Sequence, residues 1–337
     1  MIELSYFLRM RIKQIDILRG IAALLVTIFH LTGSAGLSKA TASYGSYGWL
    51  GVQIFFVISG FVLPYSMYKT GYNISSFGTF LIKRIVRVYP PYLVAIAIAV
   101  AMAIATGREL LYGITLLSHF LFLNELLGLH SWSPVFWTLF IEFQFYILIG
   151  ILFPIVVSNN YKSLAFVFVM SILSLLFSRS IVVYWFPFFG LGILIFNKYF
   201  TNMSLKMFWF GITTLTVLIA YVHGISHAVA GLSAVLFILF VKADQETFFN
   251  RALFGLGNIS YSLYLVHWEL GRAAVNISRH LPFVGSNEVI KVLTGLAFSI
   301  ISAYIFYILV EKPSVRYSSR IKYNTRLISI KRAFKRA

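Results

Sequence analysis

The sequence contains no cysteine. That excludes disulfides, thiolate nucleophiles and cysteine-ligated metal, and it is silent on compartment. Charge is scarce too. Asp, Glu, Lys and Arg make up 11% of the 337 residues, where a soluble domain carries about 25%. Acid is scarcer still, at 10 Asp and Glu against 28 Lys and Arg, so the carboxylates can be weighed one by one. No pair among the seven histidines has convincing metal-ligand spacing. Internal repeats, low-complexity linkers and room for a second soluble domain are all missing. No small-residue cleavage site follows the first apolar run, so that run is expected to be a retained span and not a signal peptide.

What is present is apolar. Hydrophobic residues make up 59% of the chain, more than a soluble core can use. They recur in runs of about 20, the length that crosses a bilayer as a helix. The fold class is therefore all-α, a polytopic integral membrane protein with about ten transmembrane helices. The expected spans are 15–33, 48–68, 85–106, 135–157, 163–178, 180–197, 206–222, 226–242, 256–276 and 290–311. The fifth and eighth are short. A further apolar segment, 113–127, is too short to span.

Lysine and arginine orient the chain. With the N-terminus inside, only Arg19, Lys39, Arg108, Arg179, Arg272, Arg279 and Lys291 of the 28 fall away from the inner side. Both termini are thus expected in the cytoplasm. The net charge of +18 reads as this inside-facing bias and not as a nucleic-acid footprint. Residues 1–315 read as one transmembrane domain. Residues 316–337 read as a basic cytoplasmic tail on anionic membrane lipid, with partner binding as the alternative.

Within these apolar runs a few polar groups stand out. The stretch 15–30, IDILRGIAALLVTIFH, places Arg19 and His30 eleven residues apart, about 16 Å along one helix and on nearly the same face. Ionisable residues inside a span are expensive and usually face a bundle interior or a wet cavity. The alternatives are snorkelling for Arg19 and a neutral, hydrogen-bonded interfacial role for His30. In WTLFIEFQFY, 137–146, Glu142 falls about 12 Å below the outer surface, and His30 falls about 8 Å below the same surface. That similar depth suggests a histidine general base oriented by a carboxylate. Pairing of Glu142 with Arg19 or a tyrosine is the alternative.

The segment 80–93, FLIKRIVRVYPPYL, puts Lys83, Arg84 and Arg87 on one helical face near the inner end of the third span. Guanidinium forks match phosphate oxygens, so the cluster suits a phosphate-bearing ligand, although a plain positive-inside flank would look the same. The two prolines that follow are expected to break or kink the helix. In GVQIFFVISGFV, 51–62, Ser59–Gly60 suggests close helix packing. In LGNISYSLYLVHW, 256–268, His267 is equally readable as packing or as part of a site. His119, His130, His223, His227 and His280 lie in outer loops or at span ends, where an ordinary structural role is the expected reading.

Taken in order, IDILRGIAALLVTIFH, GVQIFFVISGFV, KRIVRVYPPY, WTLFIEFQFY and LGNISYSLYLVHW resemble the acyltransferase 3 family of membrane-bound O-acyltransferases, over about residues 13–315. The resemblance implies an acyl-CoA-dependent enzyme of the cell membrane, most often the bacterial cytoplasmic membrane. It would move an acyl group, commonly acetyl from acetyl-CoA, to a hydroxyl of an extracytoplasmic or lipid-linked glycan. Carried over by position, His30 resembles the catalytic histidine and Arg19 its motif partner. Arg84, Arg87 and Tyr92 fall on the basic motif thought to serve the donor, with Lys83 beside them. Trp137, Thr138 and Glu142 fall on the Trp-Ser/Thr-Leu…Glu motif. Two departures stand out: Phe143 follows Glu142 where many members have a second acid, and Gln53 stands where many have an acid. Some relatives add a C-terminal extracytoplasmic hydrolase-like domain, which is not expected within this sequence.

On this reading the phosphates of the coenzyme dock on Arg84 and Arg87, its arm enters the bundle, and His30, oriented by Glu142, takes the acceptor proton. A covalent acyl-histidine relay is a variant of this scheme. The loops 33–47, 106–134 and 277–289 are expected to shape the acceptor site, with Asn124, His130 and Trp132 as candidates. Two readings from other classes are a transporter or flippase of a glycolipid or anionic solute, and an inactive scaffold.

Overall fold

The structure, a computed structural model, describes residues 2–34, 37–241, 247–282 and 284–323, with side chains from Lys13 onward. The side chains of Arg9 and Arg11, Lys242, and residues 324–337 of the expected basic tail lie outside the described residues.

Among the described residues the chain is helical, without strands. α1 (Ile2–Thr32) leads through the short α2 (Lys39–Tyr44) to α3 (Gly51–Thr70). α4 (Phe77–Ala105) is followed by a loop that holds α5 (Gly113–Phe120). Then come α6 (Trp137–Ser158), α7 (Asn160–Ile172), α8 (Val182–Phe200), α9 (Leu205–His223) and α10 (Ile225–Phe240). The last part is α11 (Phe248–Asn258), α12 (Ser260–Val266), α13 (Arg272–Ser278), α14 (Glu288–Phe306) and α15 (Lys312–Arg320). Polar side chains set several helix starts. Ser204 accepts from Met207 N–H and Thr247 from Asn250 N–H, each satisfying an otherwise orphaned backbone donor.

Seven described helical segments are long and apolar enough to cross a membrane: Lys13–Thr32, Lys39–Thr70, Ile74–Ala105, Trp137–Ser158, Val182–Phe200, Leu205–His223 and Glu288–Arg320. The expected spans 163–178 and 226–242 fall on the shorter apolar helices Asn160–Leu176 and Ile225–Phe240. The expected span 256–276 is divided among α11, α12, a π-helical turn (His267–Gly271) and α13. A second π turn, Tyr307–Glu311, joins α14 to α15. Such widened turns often occur at functional sites, and here they carry the buried His267 and Glu311.

The prolines at 90 and 91 do not break their helix. α4 runs continuously through both. Tyr261 Oη donates to the Val88 carbonyl at 2.9 Å, in the turn that precedes them.

α8 is the most enclosed of the long apolar helices and packs chiefly on α3, while α1 packs chiefly on α11. Both crossings depend on glycine. A Cβ on Gly60 of α3 would meet the Phe189 carbonyl, and one on Gly192 of α8 would meet the Val57 carbonyl. Likewise Gly20 of α1 faces the Leu253 carbonyl, and Gly257 of α11 faces the Asp16 carbonyl. The close packing expected at Ser59–Gly60 is therefore present. α15, which runs from the end of the expected transmembrane domain into the expected tail, docks on α4: Ser318 Oγ donates to the Lys83 carbonyl at 2.8 Å, and Lys83 Nζ donates to the Ile321 carbonyl at 2.8 Å.

Candidate active site

His30 occupies the last turn of α1 and meets the π turn that begins at His267. His30 Nδ1 lies 2.9 Å from His267 Nε2, and His267 Nδ1 lies 2.9 Å from the Leu263 carbonyl oxygen. The chain of contacts fixes both tautomers. A carbonyl only accepts, so His267 Nδ1 carries a proton, and the neutral ring then offers Nε2 as an acceptor. His30 Nδ1–H donates to it. The basic lone pair of His30 is therefore on Nε2. Trp268 stands edge-on to His30, with ring centroids 5.0 Å apart, and locks the imidazole plane. Fixing one nitrogen to orient the other is how histidine bases and ligands are commonly held.

His30 lines a cavity of about 760 Å³, open mouth included, whose walls include Trp49, Trp137, Tyr184, Trp185 and Tyr264. His227, which the sequence reading leaves without a role, lines it as well.

A second cavity, about 1000 Å³ with its open mouth, adjoins the first. Val52 and Tyr264 line both. Arg19, Arg84 and Arg87 face it together with Glu142, Glu311, Tyr146 and Tyr261. Glu142 Oε1 accepts from Tyr146 Oη at 2.7 Å and from Ser59 Oγ at 3.4 Å. Glu311 accepts from the Ser262 backbone N–H at 3.1 Å and from the Ser262 hydroxyl. Arg84 lies over the rings of Phe80 and Tyr146, at 5.4 and 5.7 Å from their centroids.

A third cavity, about 590 Å³ with its mouth, shares Arg84 and Arg87 with the second. Lys83, Ser318 and Tyr323 are also in its wall, and among the described residues no carboxylate lines it. The three cavities thus adjoin in series. Three cations line one end and the imidazole of His30 lines the other. A path through a bundle lined by such groups is where ionisable residues inside a membrane are usually found.

The structure brings together Arg19, Arg84, Arg87, Glu142 and Thr138 around the second, middle cavity, and His30 with Trp137 around the first, called the outer one for its place at the His30 end of the series. Several expected placements need correction. Glu142 does not pair with His30: its partners are Tyr146 and Ser59, and the ring beside His30 is His267. Residue counting fixes depth along a helix but not the direction a side chain faces. α6 turns Glu142 toward the middle cavity, while His30 sits against the π turn. Tyr92 lines none of the three cavities. It is fully buried, stacked on Phe122 at 4.4 Å, and donates to the His119 carbonyl at 3.0 Å. Asn124 and Trp132 are buried within the loop between α4 and α6 and also line none of them.

Sequence reasoning does not single out Glu311, Tyr146, Tyr261 or Tyr264. Three of the four stand inside segments quoted above, at 137–146 and 256–268, but tyrosines are ordinary in apolar helices and carried no separate signal. Glu311 marks only the end of the last expected span. Among the described residues no group of three or more His, Asp or Glu is placed to hold a metal ion.

A family model described as an acyltransferase domain matches residues 12–308. A protein of Acidianus two-tailed virus named "Putative acetyltransferase ORF330" is 27% identical over 275 residues, which are 74% of this chain and 80% of that protein. No solved structure matches the chain.

Proposed function

The chain belongs to the acyltransferase 3 family, and on that premise we propose that it transfers an acyl group, by default acetyl from acetyl-CoA, to a hydroxyl of an extracytoplasmic or lipid-linked glycan. The observation that carries this reading is the series of adjoining cavities with cations at one end and a tautomer-fixed histidine at the other. Lys83, Arg84 and Arg87 suit the phosphates of the coenzyme, because the cavity they share holds no competing carboxylate among the described residues. In the middle cavity Glu142 and Glu311 offset the arginines. That environment suits the neutral, amide-bearing arm of the donor better than its phosphates.

His30 acts as the general base. The acceptor O–H gives its proton to Nε2 as the oxygen bonds to the acyl carbon. The carbon–sulfur bond then breaks, and the imidazolium returns the proton to the departing thiolate. Bringing donor and hydroxyl together at one nitrogen also supplies the orientation that bimolecular acyl transfer lacks in solution. Arg19 and Glu142 serve the donor side of the path. Trp137 belongs to the acceptor side and Thr138 to the wall between the two.

The test is transfer from labelled acetyl-CoA by the purified full chain, with surface glycan as acceptor, for the wild type and His30→Ala. Ester-linked label from the wild type and none from a correctly folded His30→Ala variant is the expected result. Normal transfer by the variant removes His30 from the mechanism. Absence of transfer together with substrate flux in vesicles would favour a transporter.

A further inference from the structure

The outer cavity has an uneven charge. Its lining includes one formally charged side chain, Arg179, and no Asp or Glu among the described residues. Gln53 lines it as a neutral amide. In the middle cavity, by contrast, each cation has carboxylates nearby. Among the described residues the ion pairs are Arg19–Asp16 and Arg108–Glu269, so Arg179 has no acidic partner there.

Arg179 is also held in place. Its own carbonyl accepts from Trp185 Nε1 at 2.8 Å. The next residues are clamped by one side chain of α6: Gln144 Nε2 donates to the Ser180 carbonyl, and Gln144 Oε1 accepts from Val182 N–H, each at 2.9 Å. Side chains of α6 and α8 therefore pin this loop at the rim of the cavity that His30 lines. Beside it stand the rings of Trp49, Trp137, Tyr184 and Trp185, flat apolar surfaces against which the C–H face of a sugar packs.

From this arrangement we infer that the acceptor carries an anionic group close to the hydroxyl that is acylated, and that Arg179 reads that group through a charge-assisted, two-pronged contact. The inference rests on the proposed acyl transfer at His30. A carboxylate of an acidic sugar and a phosphate on a glycan or its lipid carrier share the required chemistry. Either presents planar or tripodal oxygens to a guanidinium fork. Arg179 is exposed, so a neutral sugar would leave the fork to water, while an anionic acceptor gains a charge-assisted contact that the neutral one lacks.

The experiment uses membranes containing the full chain, labelled acetyl-CoA, and the total glycan extracted from the surface of the cells the gene comes from. Products are separated by anion exchange. Ester-linked label is expected in the retained, anionic fraction. Carboxyl reduction of the extract before the assay, and phosphatase treatment in parallel, separate the two sources: the treatment that cuts labelling tenfold or more identifies the group. Arg179→Gln is expected to lower labelling of the retained fraction about tenfold or more, and Arg179→Lys to restore part of it. Acetyl-CoA binding is measured in both variants as a check on folding. Label in the unretained, neutral fraction, or labelling unchanged by both treatments, overturns the inference while leaving acyl transfer intact. Absence of label in every fraction overturns acyl transfer and this inference with it.

Discussion

His267 Nε2 lies 2.9 Å from His30 Nδ1, and it does so from a turn where the helix widens to π geometry. The widening places a fully buried imidazole against the last turn of α1. His267 touches neither donor nor acceptor on this arrangement, so it is a positioning residue. His267→Ala is expected to lower kcat for acetyl transfer about 10- to 100-fold with the donor KM little changed, because His30 then populates both tautomers and rotates more freely. His267→Gln keeps an acceptor for His30 Nδ1–H and should recover part of the loss. A purely structural role for His267 would give matching losses in both variants, along with loss of folded protein in detergent.

Lys83, Arg84 and Arg87 line the cavity in which no acid competes for a phosphate among the described residues. Arg84→Ala and Arg87→Ala should each weaken binding of labelled acetyl-CoA about tenfold or more, the scale of one charge-assisted contact. Lys83 already donates to the Ile321 carbonyl at 2.8 Å, so Lys83→Ala should cost less. Raising ionic strength should weaken donor binding in the wild type and have less effect in the double arginine variant. Equal affinity across these proteins would move the donor site elsewhere.

The sequence makes some of this legible and hides the rest for a definite reason. Helical composition, the apolar segments and the position of each polar residue along its helix follow from hydropathy and a fixed rise per residue. The grouping of Arg19, Arg84 and Arg87 is legible for the same reason, since each falls near the start of its expected span, 15–33 or 85–106. Azimuth is not legible. Glu142 and His30 count to similar depths yet face different cavities. Tyr92 shares a helix with Arg84 and Arg87 yet turns into the packing of Phe122. Register shifts also escape the count. The π turns that deliver His267 and Glu311 add a residue to one helical turn, and nothing in an apolar run announces them. Where the chain leaves regular helix, as in the loop holding Asn124 and Trp132, the residues expected to face an acceptor are instead buried within the loop.

Glu142 offers a direct contrast between two roles. Its hydrogen bonds to Tyr146 and Ser59 place it in the middle cavity with Arg84 and Arg87. Glu142→Gln should therefore change the donor KM, and Tyr146→Phe should shift it in the same sense, because the phenol holds the carboxylate in place. A carboxylate that oriented His30 would instead lower kcat and leave the donor KM alone. Measuring both constants at saturating acceptor separates the two roles, and a pure kcat effect would return Glu142 to the side of the histidine.

The α3–α8 crossing sets the shape of the path, because Val52, Ser59 and Leu63 of α3 line the middle cavity while Trp185 of α8 lines the outer one. At the crossing the two backbones approach so closely that a Cβ on Gly60 or Gly192 meets a main-chain carbonyl. A carbonyl cannot swing aside as a flexible side chain can, so the helices must separate. Gly60→Ala and Gly192→Ala are each expected to cost about 1–3 kcal/mol, the range for overpacking a tight interior. The check is thermal unfolding in detergent together with donor affinity. Both variants should unfold at lower temperature, and the two substitutions combined should cost less than the sum of each alone, since the first already opens the gap that the second needs. Full additivity, or stability equal to the wild type, would mean that the helices do not meet there.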